Sequence, residues 1–307
     1  MPSSNLRGVL LLATAVALFS LMDAGLKQLA ADHGSYQVAA LRGLASLPFV
    51  LVWVMTTTGL SALWRVRWPL HLLRGGLAVV MMVAFVHALR HLPLTSAYAI
   101  FFVAPLLVTA LAVPILGEQV GPRRWAAILA GLAGTMVILR PGGQGMASAA
   151  GLACLLAAFC YALSAVLVRV LARTDSTQAM VFWMLVAIAA GAGSLALADW
   201  RPIAPAQLWL VAGVGLSGAL AQYCLTEAFR HGEASVIAPF EYTALIWGTL
   251  LDALVWGVLP DRGTWLGAGI IVVAGLYLLR RERQRGSQPA VAAAGGDPVT
   301  RGRSDRK

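Results

Sequence analysis

Residues 104–142 read APLLVTALAVPILGEQVGPRRWAAILAGLAGTMVILRPG, which is two apolar runs separated by a short polar connection. The first run continues a block that covers about residues 94–116, and the second covers about residues 122–140. Each block has the roughly 20 residues that an α-helix needs to cross a hydrocarbon core of ~30 Å. The connection carries the adjacent cations Arg123 and Arg124. The stretch therefore predicts two consecutive transmembrane helices joined by a charged turn.

The same pattern extends in both directions along the 307 residues. The chain is 59% hydrophobic and only 12% charged, with a mean hydropathy of +0.78, whereas about 25% of the residues in a soluble domain are charged. Short connections, many with Pro or Gly, separate ten apolar blocks, so we expect an all-α integral membrane protein with ten transmembrane helices. The blocks lie near residues 8–28, 36–58, 70–90, 94–116, 122–140, 151–172, 178–198, 206–229, 235–258 and 263–281.

The basic residues are distributed as the positive-inside rule expects. A net charge of +10 would suggest a nucleic-acid partner in a soluble protein, but here the cations lie between apolar blocks or in the C-terminal tail. The connections on the side of the membrane where the N-terminus lies carry more Lys and Arg than those on the opposite side. We therefore expect both termini in the cytoplasm and no nucleic-acid partner. Lys27 and Lys307 are the only lysines, and the excess of Arg and Ala is typical of a GC-rich bacterial genome. We therefore expect a multi-pass protein of the bacterial inner membrane.

The two ends of the chain need separate treatment. The first block, from Gly8 to Met22, also has the apolar character of a signal peptide, although cleavage would remove a helix that the repeat described below requires. Residues 286–307 are rich in Gly, Ser, Pro, Ala and basic residues, which predicts a disordered cytoplasmic tail. Its positive charges can contact anionic membrane lipids.

An internal repeat is the most informative feature. At an offset of 140 residues, Trp125 aligns with Trp265 and Arg90-His91 with Arg230-His231; near the starts of the halves the offset is 142, and Phe19 then aligns with Tyr161 and Lys27 with Arg169. The halves are residues 1–143 and 148–285, with five helices each. Because five is odd, the second half begins on the opposite side of the membrane. The sequence thus predicts two inverted five-helix repeats, an arrangement that builds opposed half-paths in transporters.

The chain resembles the EamA-type branch of the drug/metabolite transporter superfamily. The similarity is carried by residues 104–142, with Leu116-Gly117-Glu118 at the exit of the fourth block, and by a shorter echo in the ninth and tenth blocks. In the second half Gly257 is followed by Val258 rather than Glu. The resemblance implies ten helices around a central cavity that is open to one side at a time. It also implies a substrate among amino acids, nucleotide-like metabolites or other small polar organic molecules, often moved outward.

Ionisable residues inside the apolar blocks are costly and are therefore candidates for function. Asp23 and Lys27 share one face of the first helix, so Asp23 either pairs with Lys27 or meets a substrate ammonium. Arg42 either snorkels, binds a substrate carboxylate or pairs with Asp23. Glu241 has no cation one turn away and should take up a proton readily, or else pairs with an Arg such as Arg42. Its stripe continues through Leu245, Gly248 and Asp252, and this face should not meet lipid.

Glu227 and His87 are repeat partners near opposite ends of the eighth and third helices. We predict proton-coupling or gating roles for Glu241, Glu227, His87 and Arg42, with interfacial polar residues as the alternative for Glu227 and His87. Aromatic residues within the spans suit an amphipathic cation or an amino acid. The predicted substrate-binding residues are Phe19, Asp23, Tyr98, Phe102, Tyr161, Trp183, Tyr223, Glu241 and Tyr242.

No HExxH, GxSxG, Walker or GxGxxG motif occurs, and Cys154, Cys160 and Cys224 lie inside apolar blocks without a CxxC pair. We therefore expect no enzyme activity, no catalytic residue, no metal and no cofactor. The predicted function is secondary transport of a small metabolite by alternating access, most simply amino-acid export, with protons as a candidate coupling ion and a monomer or homodimer as the unit. The alternatives are a carrier of nucleotide-like or cationic drug-like solutes, a membrane-embedded lipid-modifying enzyme, and a structural subunit.

Overall fold

A computed structural model describes residues 2–116, 122–139, 149–171, 174–231 and 243–286. Within these ranges every regular element is helical, which confirms the predicted all-α class. Short 3₁₀ turns cover Leu60–Leu63, Leu197–Asp199 and Pro205–Gln207. The α-helices are α1 Pro2–Asp32, α2 Ser35–Thr57, α3 Trp68–His91, α4 Leu94–Phe101, α5 Ala104–Leu116, α6 Pro122–Leu139, α7 Ala149–Leu171, α8 Thr177–Ala196, α9 Leu208–His231, α10 Ala244–Trp256 and α11 Arg262–Gly286.

Seven helical segments of the described residues are long and apolar enough to cross a membrane. They lie in α1, α2, α3, the combined α4 and α5, α7, α8 and α9, and two shorter apolar helices occur in α10 and the first part of α11. The chain is thus a multi-pass membrane protein. The count of ten spans stays a prediction, and the predicted tail lies, except for Gly286, outside the described residues.

Most of the large helix contacts join the first half of the chain to the second. Six of these contacts form three related couples. The contact of α1 with α9 corresponds to that of α7 with α3, and the contact of α2 with α9 corresponds to that of α8 with α3. The contact of α5 with α7 corresponds to that of α10 with α1. The helices α2 and α8, α6 and α11, and α4 and α10 also pack together. If α1 to α3 correspond to α7 to α9, α4 and α5 to α10, and α6 to α11, exchanging the halves maps each pair onto another pair or onto itself.

Glycines allow several of these helices to approach closely. A Cβ on Gly43 of α2 would lie 2.8 Å from the backbone nitrogen of Ala189 on α8. A Cβ on Gly215 of α9 would overlap the backbone carbonyl of Ala45 on α2. Close backbone contact at small residues is the usual source of helix association in lipid, where burial of apolar surface between helices brings little gain.

The α1–α2 end of the bundle is formed by residues 32–37 and 199–207. The Nε2 group of Gln37 donates to the carbonyl oxygen of Arg201 at 2.6 Å, and the backbone N–H of Arg201 donates to Gln37 Oε1 at 3.1 Å. The turn after α1 and the connection after α8 therefore lie together at this end.

Among the described residues, the α2–α3 end includes residues 57–71, 170–171 and 174–178. Asp175 Oδ2 lies 2.9 Å from Nε2 of His71 and accepts the backbone N–H of Arg67 at 3.1 Å. Asp175 follows α7 directly, so α7 ends where α2 ends and α3 begins. Since α1 ends at the opposite, α1–α2 end, α1 and α7 run in opposite senses through the bundle.

The charge of Asp175 is stabilised by its hydrogen bonds. Burial alone raises the pKa of this carboxyl, but bonds from the Thr174 hydroxyl, the Arg67 backbone and His71 outweigh burial and lower the pKa below 3.8. Because the folded pKa lies below the unfolded one, the stabilisation is present at neutral pH and is lost as the pH falls through the folded value.

We expect Asp175→Ala to lower the free energy of unfolding by about 1–3 kcal/mol at pH 7, because the buried Arg67 N–H and His71 lose their partner. The difference from the unmodified protein should shrink as the pH is lowered through the folded pKa of Asp175, which lies below 3.8. Thermal unfolding in detergent over this pH range measures both effects. Asp199→Ala removes an exposed acid from the opposite end and is the control. A loss of stability that is equal at every pH would contradict the role given to the charge.

Candidate functional site

A buried carboxylate–phenol pair joins α1 to α4. The hydroxyl of Tyr98 donates to Asp23 Oδ2 at 2.8 Å, and these residues are 6% and 7% exposed. A charged group within hydrocarbon costs free energy unless it is paired or hydrogen-bonded. Two of the predicted substrate-binding residues thus meet at one point, although they are 75 positions apart in the chain.

Arg42 on α2 lies beside this pair and is incompletely satisfied. It is 7% exposed, its Nε donates only a weak bond to the Met22 sulfur at 3.4 Å, and its Nη1 has no hydrogen-bond partner. Asp23 attracts the guanidinium electrostatically, but the described residues contain no ion pair between them within 4.0 Å. Arg42 therefore stays inside the bundle rather than snorkelling, with at least one free donor.

Helix α10 closes over Tyr98. A Cβ on Gly248 would lie 2.8 Å from Tyr98 Cδ2, so only glycine leaves room for the ring at this position. Gly248 and Asp252 are buried and Leu245 is half-buried, which confirms for these three residues that the predicted stripe does not face lipid. Glu241, the first residue of that stripe, lies outside the described residues.

Asp252 holds the start of α4. Its Oδ1 accepts the backbone N–H of Leu94 at 2.9 Å, and its Oδ2 accepts the backbone N–H of Thr95 at 2.8 Å and the Thr95 hydroxyl at 2.9 Å. The first N–H groups of a helix lack partners within the helix. The carboxylate of Asp252, which is 1% exposed, accepts these N–H groups, although Asp252 lies on another helix, 158 positions from Leu94.

Lys27 completes this arrangement one turn beyond Asp23. Its Nζ lies 3.5 Å from Asp252 Oδ1, donates to the Leu92 carbonyl oxygen at 2.7 Å and stands 4.6 Å above the Trp256 ring. The pairing of Lys27 with Asp23 that the helical spacing suggested is therefore wrong. Asp252 is almost completely buried and needs a cation, whereas Tyr98 satisfies Asp23.

Helix α7 has two partly open faces. Leu152, Leu156 and Phe159 are exposed at the spacing of one outer stripe. Tyr161 is 37% exposed but lies about half a helical turn from that stripe. Ala165, on the same side as Tyr161, is half-buried. This second face looks towards the inside of the bundle.

Phe19 on α1, the repeat partner of Tyr161, has a similar position. The exposed residues of α1 include Leu10, Thr14 and Leu21, which share one stripe. Phe19 lies on the opposite side of the helix, one turn before Asp23, and is half-buried. Phe19 and Tyr161 therefore both point towards the inside of the bundle, and both are partly exposed.

The fourth span breaks next to these aromatic residues. α4 ends at Phe101 and α5 begins at Ala104, and Pro105 has no N–H to donate to the Phe101 carbonyl. The Phe101 ring lies 5.3 Å from Tyr161 and 5.4 Å from Phe85. Phe102 is 8% exposed at the break, so it contributes mainly to packing.

Other predicted residues lie apart from this cluster. Trp183 packs on Trp68 at 4.7 Å and donates to the Leu63 carbonyl oxygen at 2.7 Å, which places it at the α2–α3 end. Tyr223 is exposed, continues the exposed stripe of α9 and contacts Trp53 at 6.1 Å.

The predicted gating residues occupy the ends of their helices. His87 is half-buried near the end of α3 with its ring 4.6 Å from that of His91. Glu227 is half-buried near the end of α9. α3 ends at the α1–α2 end and α9 at the other, so this pair stands at opposite ends of the bundle. Tyr242, like Glu241, lies outside the described residues.

Neither a metal centre nor a disulfide occurs among the described residues. The thiol of Cys154 is buried and donates to the Ala97 carbonyl oxygen at 3.3 Å, as expected for a packing cysteine. An apolar groove of about 660 Å³ between α6 and α11 opens on the outer surface, where Leu266 and Val273 are exposed. It does not reach the polar cluster.

In the described part of the chain, membrane-length helices surround a buried polar cluster, which is the arrangement of a multi-pass membrane protein. The chain belongs to the EamA-like transporter family, whose sequence profile matches residues 6–140 and again residues 148–281. It is therefore a small-molecule transporter of the drug/metabolite type, as the resemblance had implied.

Curated relatives name several substrates. The chain is 34% identical to the riboflavin transporter of Rhizobium johnstonii over 80% of both chains, and 31% identical to the riboflavin transporter of Vibrio cholerae over 91% of this chain and 95% of that one. It is 28% identical to the S-adenosylmethionine uptake transporter of Rickettsia prowazekii over 91% and 94%. A solved structure, 21% identical, superposes with a TM-score of 0.64 over 92% of this chain and all of that chain, which is a likeness of fold.

Proposed function

We propose that the chain is a secondary transporter that moves a ring-bearing, flavin-sized metabolite by alternating access, with riboflavin as the first candidate. The observation that carries the proposal is the buried Asp23–Tyr98–Arg42 cluster (these three residues). It lies next to the inward, partly open aromatic face of Phe19 and Tyr161. Two relatives named riboflavin transporters support the choice of substrate.

The proposed architecture is ten transmembrane helices in two inverted five-helix repeats around a central cavity. Three observations support it: the family profile matches twice, the largest helix pairs between the halves map onto one another when the halves are exchanged, and α1 and α7 run in opposite senses. Both termini are proposed to lie in the cytoplasm because of the Lys and Arg distribution. The α1–α2 end is then the outer end, and the protein is proposed to reside in the bacterial inner membrane.

The cluster has the chemistry of a binding site. A buried arginine with a free N–H is unfavourable, since an unsatisfied charged donor costs more than about 1–3 kcal/mol. A substrate carbonyl or carboxylate oxygen can accept that N–H, while Asp23 can accept a substrate N–H or hydroxyl. The planar rings of Phe19, Phe101 and Tyr161 can stack on a substrate ring at ~4.5–7 Å. The proposed site therefore recognises one aromatic body and one polar edge.

Proton coupling is proposed through Glu241, with Glu227 and His87 as gating residues. Glu241 has no cation three or four positions away, and an isolated carboxyl group in a membrane span readily binds a proton. The transporting unit is proposed to be a monomer or a homodimer surrounded by lipid.

Export of an amino-acid-like metabolite is the second candidate. A zwitterion presents an ammonium to Asp23 and a carboxylate to Arg42, and these opposite charges lie on neighbouring helices. The same arrangement of charges would not be needed for riboflavin, which is uncharged at neutral pH. Competition between the two substrate types separates the candidates.

We expect purified protein in proteoliposomes to accumulate labelled riboflavin in a saturable manner, and we expect amino acids at equal concentration not to compete. Empty liposomes give the background, and Asp32→Asn, an exposed acid at the end of α1, gives a matched active control. If labelled riboflavin is not taken up but labelled amino acids are, the flavin proposal is rejected in favour of the second candidate. Uptake of neither would reject both.

A further inference from the structure

We call the following residues the Lys27–Asp252 clasp: Lys27, Asp252, and the backbone that they hold, which is Leu92 in the α3–α4 turn and Leu94 and Thr95 at the start of α4. It joins α1, the α3–α4 turn and α10 through an ion pair and four hydrogen bonds. It lies one turn beyond Asp23 on α1 and one turn beyond Gly248 on α10, on the side of the α1–α2 end. The clasp therefore covers the Asp23–Tyr98–Arg42 cluster from that end.

The first half of the chain does not repeat the acid of this clasp. At the offset of 142, Lys27 corresponds to Arg169, but at the offset of 140, Asp252 corresponds to Ala112. Tyr98 corresponds to Ala238. The clasp therefore has no counterpart at the sequence positions that the repeat pairs with it. The buried pair that the described residues show at the other end, His71–Asp175, joins different segments, the start of α3 and the residues after α7.

We infer that the Lys27–Asp252 clasp is a one-sided gate that makes the form closed at the α1–α2 end the resting state of the transporter. This inference rests on the proposed alternating access. To open that end, α1 and α10 must separate from α4, which breaks the ion pair and leaves the first N–H groups of α4 without acceptors. Breaking a buried pair is strongly unfavourable, and no equivalent carboxylate at position 112 opposes opening of the other end.

The test measures access to one position from each side of the membrane. Tyr161→Cys is introduced where Cys154, Cys160 and Cys224 are replaced by Ala, and a membrane-impermeant thiol reagent is added to right-side-out or inside-out vesicles. With the clasp intact, labelling should be slow from the α1–α2 side and fast from the opposite side. Lys27→Met should raise the rate from the α1–α2 side at least about fivefold, which is a typical coupling between two states, and lower the rate from the other side.

Matched variants keep the test decisive. Asp252→Asn keeps one of the two acceptor oxygens for α4 but loses the charge, so it should shift labelling in the same direction and decides the matter if Lys27→Met does not fold. Lys27→Arg keeps the cation, and Arg201→Met removes an exposed cation from the same end; both should label like the intact clasp.

Three results would overturn the gate. The first is an unchanged rate from the α1–α2 side in both charge-removing variants. The second is a rise from both sides, which would mean general loosening. The third is no labelling from either side in any variant, which would mean that Tyr161 faces lipid. The labelling needs no transported substrate, so a failure of riboflavin uptake together with the expected shift rejects the substrate and leaves the gate intact.

Discussion

Gly215→Leu should abolish stable folding, whereas Gly213→Leu on the same helix should be almost neutral. An added Cβ at Gly215 would lie 2.6 Å from the Ala45 carbonyl carbon of α2, but nothing lies within 4 Å of the equivalent position at Gly213. The obstacle at Gly215 is backbone, which cannot move aside as a flexible side chain can. Moving α2 and α9 apart to make room for the new side chain would also break the hydrogen bond from the Ser46 hydroxyl to the Gly215 carbonyl oxygen, which is 3.2 Å long.

The expected cost of Gly215→Leu is about 3 kcal/mol or more, at the upper end of overpacking in a core. Gly213→Leu should change stability by no more than about 0.5 kcal/mol, as at other exposed positions. Size-exclusion profiles and thermal unfolding in detergent compare the two variants directly. Equal stability of the two variants would show that α2 and α9 do not meet at Gly215.

Asp23→Asn should lower the transport rate about 10- to 100-fold, the range that the loss of a charged hydrogen-bonding group implies. Asparagine keeps an oxygen that can accept the Tyr98 hydroxyl, so the fold should survive. The negative charge that balances Arg42 is lost, and with it the acceptor proposed for a polar substrate edge. Tyr98→Phe removes only the donor and should have a smaller effect, about tenfold.

The control for this prediction is Asp32→Asn, two turns further along α1. Asp32 is exposed and its Oδ2 accepts from Gln207 Nε2 at 2.7 Å, a bond that asparagine can still accept. Initial rates in proteoliposomes, normalised to folded protein, measure the effect. Asp23→Asn protein that transports at the unmodified rate would remove Asp23 from the proposed site.

The helices were predictable because apolar runs of about 20 residues leave the backbone few other solutions in lipid. The break in the fourth span was also visible in the sequence as Pro105, since proline removes one hydrogen bond from a helix. Position along a span was therefore readable with a precision of a few residues.

The direction in which a side chain points was harder to predict. Trp183 and Tyr223 lie within apolar blocks and were expected at the substrate. Trp183 instead lies at the α2–α3 end, and Tyr223 lies on the exposed stripe of α9, away from the Asp23–Tyr98–Arg42 cluster. In a span that is apolar on all sides, the periodicity that identifies the inward face of a soluble helix is weak. Phe19 could be selected because it lies one turn before Asp23, and Tyr161 because it is an aromatic residue within a span.

The sequence alone could not predict which side chains on distant helices pair with each other. The spacing of Asp23 and Lys27 is equally suited to a local pair, and nothing in the sequence indicates that Asp252, 225 positions later, takes Lys27 instead. Thr95, which binds Asp252 through both its N–H and its hydroxyl, was missed for the same reason. Its location just after Pro93, where a helix begins, was the available signal.

The preference of α1, α2 and α3 for α9, α8 and α7 has a consequence for biosynthesis. When the ribosome has delivered the helices of the first half to the membrane, the principal packing partners of α1, α2 and α3 have not yet been translated. The early helices must wait in the lipid, protected by neighbouring lipids or by the insertion machinery, until α7 to α9 emerge. A ribosome stalled between the halves would therefore leave an immature product exposed to quality-control proteases.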